Sequence, residues 1–570
     1  MNSKQQFRVL YREFLFRLMD VELLSASARG DSSELFGQFA SLLIFVSVLL
    51  SGAALVSSGH RMPLAAMAPQ AWMVERLLLS ITMLVVGLFA VLSWDSTFLD
   101  RRDVLVLAPL PIRGRTLFTA KIAAVGAALG LTVVLLHGLS AILWPMALAQ
   151  PGSGILGNLR FIGAWLVTLF AAGGFLYCAI LGVQGVAAQL PRRWYLRVSS
   201  FLQMAAFVLI LAVFLLQPSF ATAKALGAPE NQRMLACLPA YWFLGLASEL
   251  SGAYPAQAHA VMAPLAGRAL AALAIVLLVA GGAYLLSYLR TLRKIVEEPD
   301  IVPGARGGLW LPRFGSLRST ALVQFTIRSL LRSRQHRVIL AFYLGFGFAL
   351  VTLFMQIAEE RRRLVGTLSQ SDTDISMAAA SVVMLCAWVL GTRVVFSLPL
   401  DLRANWVFRV MPVSGGVAGL SAARRALLGL SVVPAWAGCA VFFLWLSSWP
   451  VAAEHLLVFG LLGSILADVC LRGFRKIPFT CSYLPGKSNV HLTFWFCSLI
   501  LVQIVVQAAL LEHRAMARPL TYWLMAAAMG TAAGGARWFA NVGAKEEGPD
   551  IQYEETGSSE VLVLGLQGRG

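Results

Sequence analysis

Long apolar segments, separated by short polar connections, follow one another along most of the 570-residue chain. A helix needs about 20 apolar residues to cross the hydrocarbon core of a bilayer, and the pattern predicts about twelve such helices in two groups of six. The first group is 36–58, 72–94, 117–149, 160–190, 197–217 and 264–289, and the second is 338–358, 376–398, 426–449, 452–471, 492–512 and 519–541. The predicted fold class is therefore an all-α, polytopic membrane protein.

An amphipathic pattern precedes the first apolar segment, in residues 4–28. Its apolar positions follow the i, i+3, i+4, i+7 spacing of one helix face and are Phe7, Leu10, Tyr11, Phe14, Leu18 and Val21. Arg8 and Arg12 lie off that face. A basic amphipathic helix in this place is expected to lie in the membrane interface. The alternative is a solvated helix that simply begins the chain.

Three landmarks occur in the same order in both groups of six. Each group opens with an arginine-rich segment, has a polar loop after its second apolar segment, and ends with a similar acidic sequence. The acidic sequences are Glu297–Ile301 (EEPDI) and Glu546–Ile551 (EEGPDI). We infer an internal duplication. Because six spans return the chain to its starting side, the two halves are predicted to be parallel repeats around a pseudo-two-fold axis along the membrane normal.

The landmarks also divide the chain into regions. The predicted first half is 1–298, with the amphipathic helix at its start. A linker rich in Pro and Gly follows at 299–320, and the second half is 321–545. The tail, 546–570, is predicted to be weakly ordered.

Composition agrees with a membrane protein and sets its orientation. The chain is 58% hydrophobic and 13% charged, with a mean hydropathy of +0.74 and a net charge of +18. The basic residues lie at the ends of apolar segments and form no stripe, so nucleic-acid binding is not favoured. If both termini are cytoplasmic, about three quarters of the 46 Lys and Arg residues lie on the cytoplasmic side, as the positive-inside rule requires. The predicted location is the cytoplasmic (inner) membrane.

One polar loop stands out between the second and third apolar segments, Asp95–Lys121. A related stretch, Asp401–Val413, recurs about 300 residues later, between the eighth and ninth segments. Aligning the two places Asp100 over Asp401, Arg102 over Arg403, Leu110 over Met411, Pro111 over Pro412 and Ile112 over Val413. Two copies of a charged, proline-containing loop on the basic side suggest two docking points for a partner outside the membrane.

No catalytic or metal-binding pattern is evident. The seven histidines are scattered, and the seven cysteines include no C-x-x-C pair. His137, within an apolar segment, is interpreted as a hydrogen-bonded structural residue. Lys121 is expected to snorkel to the membrane surface, and Asp468 to pair with Arg472 on its own helix. Cys481–Ser488 resembles the end of a phosphate-binding loop but lacks the required glycine, so no ATPase is predicted in this chain.

The order of amphipathic helix, two spans, a D…LPI…K loop and four further spans resembles the permease subunits of ATP-binding-cassette exporters of the second class. The residues that carry the resemblance in the loop are Asp100, Arg101, Arg102, Leu110, Pro111, Ile112, Thr116, Leu117 and Lys121. Leu238–Leu244 (LPAYWFL) is similar to a segment that forms a short helix or re-entrant hairpin at the outer surface of such permeases. The resemblance implies that the loop after the second span carries a coupling helix, on which a separate ATPase subunit rests.

The resemblance also implies that this chain needs no cofactor, since ATP would bind to the partner. The implied docking residues are Asp100, Arg101, Arg102, Leu110, Pro111, Ile112 and Lys121 in the first loop and Asp401, Arg403, Met411, Pro412 and Val413 in the second. Family members commonly dimerise from single six-span units, whereas this chain holds both units and would need no permease homodimer. In the second copy Ala422 stands at the position of Lys121, so the halves are expected to be unequal.

Two other readings stay open. Twelve spans in two groups of six also suit a secondary transporter. In transporters of that plan, however, the loop after the second span is short and contains glycine, whereas the loop here is long. The buried carboxylates expected of proton coupling are also scarce in this sequence. The third reading is a membrane enzyme or an assembly scaffold without transport. The span interiors would suit a lipid-like or amphiphilic cargo.

Overall fold

The structure is a computed structural model of the chain. It describes residues 3–19, 40–52 apart from 42 and 49, 64–97, 107, 110–148, 154–252 apart from 219 and 221, 256–297, 313, 316–398 apart from 366–369, 400, 416–480 apart from 473, 475 and 476, and 490–546. Within these ranges the regular structure is helical and no strand occurs. The predicted all-α class is confirmed.

Seven of the described helices are long and apolar enough to cross a membrane, and up to nine if each of two sharply bent helix pairs counts as one span. A further apolar helix at Leu43–Gly52 is shorter. Several such helices in one chain are what a multi-pass membrane protein requires. The number twelve stays a prediction.

The chain divides into two compact units, Met1–Arg306 and Gly307–Gly570. The division lies inside the predicted linker 299–320. The last part of that linker is nevertheless helical, because a capped helix begins at Leu317: the Ser316 hydroxyl accepts a hydrogen bond from the Ser319 amide at 3.3 Å.

The helices of the first unit can be given in chain order. They are α1 (Ser3–Met19), α2 (Leu64–Leu92), α3 (Trp94–Thr97), α4 (Gly114–His137), α5 (Ser140–Ala147), α6 (Gly154–Ala187), α7 (Arg192–Leu216), α8 (Ala223–Gly227), α9 (Gln232–Leu235), α10 (Pro239–Ser251) and α11 (Ala256–Glu297). Helix α1 packs on α4, α2 packs on α6 and α7, and α6 packs on α11. Polar side chains tie α2 and the short helix α3 to α7. Gln203 Nε2 donates to the Val91 carbonyl of α2 at 2.8 Å, and Trp94 Nε1 of α3 donates to Ser199 Oγ at 3.0 Å.

The segment around Leu238–Leu244 lies at a sharp bend between helices. A 3₁₀ turn and α9 cover Pro229–Leu235 and are bent by 104° from α10. Helix α10 approaches α11 so closely that a Cβ on Gly245 would lie 2.6 Å from the Leu265 Cβ and 2.7 Å from the Met262 carbonyl oxygen. Only glycine fits this crossing without a shift of the backbone.

The helices of the second unit are α12 (Leu317–Arg332), α13 (Arg334–Val365), α14 (Gln370–Phe396), α15 (Gly416–Leu427), α16 (Val433–Leu446), α17 (Trp449–Cys470), α18 (Val490–Met516) and α19 (Pro519–Glu546). Helix α12 packs on α15, α14 packs on α17 and α18, and α17 packs on α19. Helices α13 and α14 also pack closely, with a Cβ on Gly347 only 2.6 Å from the Ala387 Cβ.

Two predicted spans are interrupted. The segment 117–149 is not one helix, because α4 ends at His137 and a turn at Gly138 leads to the separate helix α5. The segment 426–449 contains a π-helical turn, Leu428–Val432, between α15 and α16. Pro434 follows this turn, and its missing N–H removes one regular helical hydrogen bond, which accounts for the wider turn.

Candidate functional site

The structure describes part of the predicted docking loops. Leu110, Pro111, Ile112 and Lys121 lie within the described residues. The other predicted docking residues lie outside them: Asp100, Arg101, Arg102, Asp401, Arg403, Met411, Pro412 and Val413. The described part of the site is the end of the first loop and the helices that follow each loop.

The end of the first loop forms an exposed corner, Leu110–Pro111. Leu110 is 47% exposed, and its amide donates to the Leu107 carbonyl at 3.2 Å. The Ile112 amide donates to the Leu110 carbonyl at 2.7 Å, which closes a tight turn. The turn leaves the Leu110 side chain exposed at the end of the loop.

Helix α1 packs against the loop end and the first turns of α4. Its apolar face places Leu10, Phe14 and Leu18 against the first turns of α4. The α4 side of this cluster is Leu117, Ala120 and Ala124, and the partly buried Leu107 and Ile112 pack against it. Gln6 Nε2 also donates to the Pro111 carbonyl at 3.4 Å. The loop end, α1 and α4 thus share one apolar cluster, and the predicted amphipathic face is the face that packs.

Lys121 lies inside this cluster and not on the surface. It is only 2% exposed, and its Nζ lies 4.4 Å from the centroid of the Phe14 ring. A cation held over an aromatic face at this distance is attracted to the ring quadrupole. The prediction that Lys121 snorkels is wrong, because α1 covers the side chain. Lys121 is therefore placed to hold α1 on α4.

A basic cleft opens beside the corner, between α1 and the start of α4. Its volume is about 470 Å³. The lining residues are Ser3, Lys4, Phe7, Arg8, Tyr11, Thr116 and Thr119. The rings of Phe7 and Tyr11 are stacked, with centroids 6.1 Å apart. Lys4 and Arg8 are exposed, so the cleft is lined by positive charge as well as by the two aromatic rings.

The second unit repeats the helix pairing but changes the side chains. Helix α12 packs on α15 as α1 packs on α4. Ala422, at the position of Lys121, is buried, with 3% of its surface exposed. One turn further along α15, Arg425 Nη1 donates to Ser319 Oγ of α12 at 3.0 Å. In the first unit the cation that contacts the leading helix is Lys121 of α4. In the second unit it is Arg425 of α15, about one helical turn beyond the position that corresponds to Lys121.

Asp468 does not pair with Arg472, contrary to the sequence prediction. Arg424 of α15 binds both carboxylate oxygens, with Nε at 2.6 Å from Oδ1 and Nη2 at 3.0 Å from Oδ2. Arg537 of α19 approaches Oδ1 to 3.7 Å. The partners come from other helices because Asp468 faces the inside of the unit, where it is 2% exposed, while Arg472 is exposed.

His137 is a hydrogen-bonded structural residue, as predicted. Its Nε2 lies 2.7 Å from Thr82 Oγ1 of α2, and its Nδ1 lies 3.0 Å from Ser140 Oγ. Both ring nitrogens therefore have partners, and the histidine joins α2 to the turn between α4 and α5.

Sequence reasoning missed a second buried histidine site, in the second unit. His455 Nδ1 lies 2.7 Å from Glu512 Oε1, and its Nε2 lies 2.9 Å from Ser381 Oγ. The ring stacks on Phe443 with centroids 4.2 Å apart. The two ionisable side chains are 2% and 6% exposed. Glu512 stands at the end of an apolar segment beside His513 and Arg514, where a surface residue is expected.

The described residues contain no group of three or more His, Cys, Asp or Glu side chains placed to hold a metal ion. Comparisons with protein-family models, curated proteins and solved structures found no significant match to this chain.

Proposed function

We propose that this chain is the membrane-spanning permease of an ATP-binding-cassette export system of the second class, driven by a separate ATPase subunit. The ATPase docks on loops 95–116 and 399–422, and ATP binds to that partner. The chain itself carries no cofactor and catalyses no reaction. Its cargo is lipid-like or amphiphilic, which the apolar helix surfaces suit.

The observation that carries this proposal is the support of the exposed corner Leu110–Pro111 by α1 and α4. Force applied to the corner passes to α4 because the three parts share one close-packed cluster, and such packing transmits strain. Lys121 strengthens this connection through Phe14. The corner and the basic cleft beside it suit a partner surface with an apolar pocket and acidic edges.

The six-plus-six repeat is part of the proposal. Support comes from three sets of helix contacts that recur in both units: leading helix on third span, second span on fourth and fifth, and fourth on sixth. In the first unit these pairs are α1 with α4, α2 with α6 and α7, and α6 with α11. In the second unit they are α12 with α15, α14 with α17 and α18, and α17 with α19.

The proposed setting is the cytoplasmic membrane, with both termini and both loops on the cytoplasmic side. The distribution of Lys and Arg supports this orientation. The exposed Lys4 and Arg8 beside the corner agree with it, because basic residues are enriched on that side.

Purification of the tagged chain from its native membranes tests the proposal. We expect an ATP-binding-cassette ATPase to be recovered with the wild type and to be lost with Leu110→Ser. Leu156→Ser is the matched control, since Leu156 is also exposed but lies at the start of α6, away from the loop. Absence of an ATPase from the wild-type preparation, or equal recovery with both variants, would contradict docking at the corner.

A proton-coupled secondary transporter is the second candidate, and one observation favours it. His455 and Glu512 are a buried ionisable pair within an apolar helix bundle, and such pairs mark proton relays in transporters. This candidate requires transport in ATP-free vesicles under an imposed proton gradient, and its loss with Glu512→Gln. Transport that needs ATP and is indifferent to the gradient rejects it.

A further inference from the structure

The connection after α17 contains a turn whose backbone conformation is unusual for its sequence. In the turn Ile477–Thr480, the Thr480 amide donates to the Ile477 carbonyl at 3.3 Å, and Pro478 occupies the second position. Phe479, at the third position, has a φ of 69°. A turn with proline second and a positive φ third normally has glycine at that third position, because a Cβ makes the left-handed region unfavourable. In the described part of the chain, Phe479 is the only residue other than glycine with a positive φ.

Both backbone groups of Phe479 bind the segment that leaves α14. The Phe479 amide donates to the Phe396 carbonyl at 3.1 Å, and the Leu400 amide donates to the Phe479 carbonyl at 3.0 Å. Phe396 is the last residue of α14, so its carbonyl has no partner within the helix. Leu400 lies at the start of the proposed second docking loop, 399–422. The turn therefore fixes the point at which that loop leaves the helix.

The Phe479 ring packs in the same place. It lies edge to face with the Phe396 ring, with centroids 5.6 Å apart, and with the His336 ring of α13, with centroids 5.0 Å apart. His336 Nε2 in turn donates to the Leu398 carbonyl at 3.1 Å. Phe479 and His336 are both buried. The segment Leu398–Leu400 is thus held from two sides, by α13 and by the turn.

The strained backbone of Phe479 is stabilised by these contacts. A residue in a sparsely populated conformation persists only where its surroundings hold it, and such residues are concentrated at functional sites. Glycine at this position would remove the strain, but it would also remove the ring that joins the turn to α13 and α14.

We propose that Phe479 is the positioning residue of the second docking loop. Its ring and its two backbone hydrogen bonds hold Leu398–Leu400 in one place relative to α13 and α14, as α1 holds the end of the first loop. The role of this contact in docking rests on the proposed function, whereas the hold on the loop start does not.

Hydrogen–deuterium exchange of the purified full chain, measured by mass spectrometry in peptides that contain Leu400, tests the hold. Phe479→Ala removes the ring and keeps a Cβ at the strained position, whereas Phe479→Gly removes the ring and the strain together. We expect the Leu400 amide to be most protected in the wild type, less in Phe479→Gly and least in Phe479→Ala. Exchange in the alanine variant should be about tenfold faster than in the glycine variant, because a left-handed conformation is unfavourable for a residue with a Cβ.

Phe459→Ala is the matched control. Phe459 is as buried as Phe479, but its ring contacts His455, with centroids 5.8 Å apart. Its loss should leave exchange of the Leu400 amide unchanged. Wild-type protection in Phe479→Ala, equal exchange in the alanine and glycine variants, or an equal loss of protection in Phe459→Ala would each overturn the positioning role. If Phe479→Ala does not fold, wild-type protection in Phe479→Gly overturns it.

Recovery of the ATPase with the tagged chain from native membranes tests the role in docking. We expect Phe479→Ala to recover less ATPase than the wild type, and Phe459→Ala to recover as much. Equal recovery with Phe479→Ala, when Leu400 exchange has risen, would overturn the docking role and leave the proposed function standing. Absence of an ATPase from the wild-type preparation would reject the proposed function itself, and the exchange result would still decide whether Phe479 holds the loop.

Discussion

Lys121 Nζ lies 4.4 Å from the centroid of the Phe14 ring, inside the interface between the amphipathic helix α1 and the third apolar segment. These residues are 107 positions apart in the chain, yet their contact lies directly beneath the exposed corner Leu110–Pro111. The contact explains how a surface helix can be fixed to a membrane-spanning helix. It also gives the predicted docking loop a rigid base.

The first prediction concerns this contact. A double-mutant cycle with Lys121→Met and Phe14→Leu should give a coupling energy of about 0.5–2 kcal/mol, because each change removes the cation–π attraction and keeps an apolar side chain. Unfolding of the purified variants in detergent measures it. Additive effects of the two changes on the free energy of unfolding would mean that Lys121 and Phe14 have no cation–π interaction and that the lysine contributes only apolar packing.

The second prediction compares two histidine–glutamate pairs of similar geometry. His455–Glu512 is buried, at 2% and 6% exposure, whereas His259–Glu249, also at 2.7 Å, is 67% and 25% exposed. Glu512→Gln should destabilise the protein by about 1–2 kcal/mol, because the neutral amide oxygen is a weaker acceptor for the buried His455 Nδ1 than the carboxylate.

The control for that comparison is Glu249→Gln, which should cost no more than about 1 kcal/mol, since water screens an exposed pair. Thermal unfolding of both variants gives the comparison. Similar losses of stability would show that burial does not determine the strength of the His455–Glu512 contact.

The third prediction tests the role of His137. Thr82→Val leaves one nitrogen of the buried ring without its partner, which should cost about 1–3 kcal/mol. Thr168→Val is the control, because the Thr168 hydroxyl is equally buried and donates at 2.8 Å only to the Ala164 carbonyl of its own helix. Equal effects on the unfolding midpoint would contradict a joining role for His137.

The fourth prediction concerns the close crossing of α10 and α11. Gly245→Ala should destabilise by about 1–3 kcal/mol, because the new methyl group meets backbone atoms that cannot move aside. Gly126→Ala, where the site is open, should be neutral or stabilising by up to about 1 kcal/mol, since alanine favours a helix over glycine. A neutral result at Gly245 would show that the two helices can separate without cost.

The sequence predicted the fold class and the packing face of α1, because both depend on local hydrophobic periodicity. Leu10, Phe14 and Leu18 show it: their spacing alone places them on one helix face. Breaks inside predicted spans were missed, since the turn at Gly138 depends on the contacts of His137 with Ser140 and Thr82.

Buried polar partners could not be predicted from the sequence. Asp468 has an arginine four residues away, yet it binds Arg424, which is 44 residues away. Glu512 pairs with His455 across 57 residues. Such pairs form only when tertiary packing brings distant helices together, and no local spacing rule contains that information.

In the proposed function, a partner ATPase rests on the corner Leu110–Pro111. Photocrosslinking tests it most directly: a photoreactive residue is placed at position 110, or at position 156 as the control, and the chain is irradiated in native membranes. We predict a covalent adduct with an ATP-binding-cassette ATPase from position 110 and none from position 156. An ATPase that is recovered with the chain but forms no adduct at 110, or forms an equal adduct at 156, would contradict the claim.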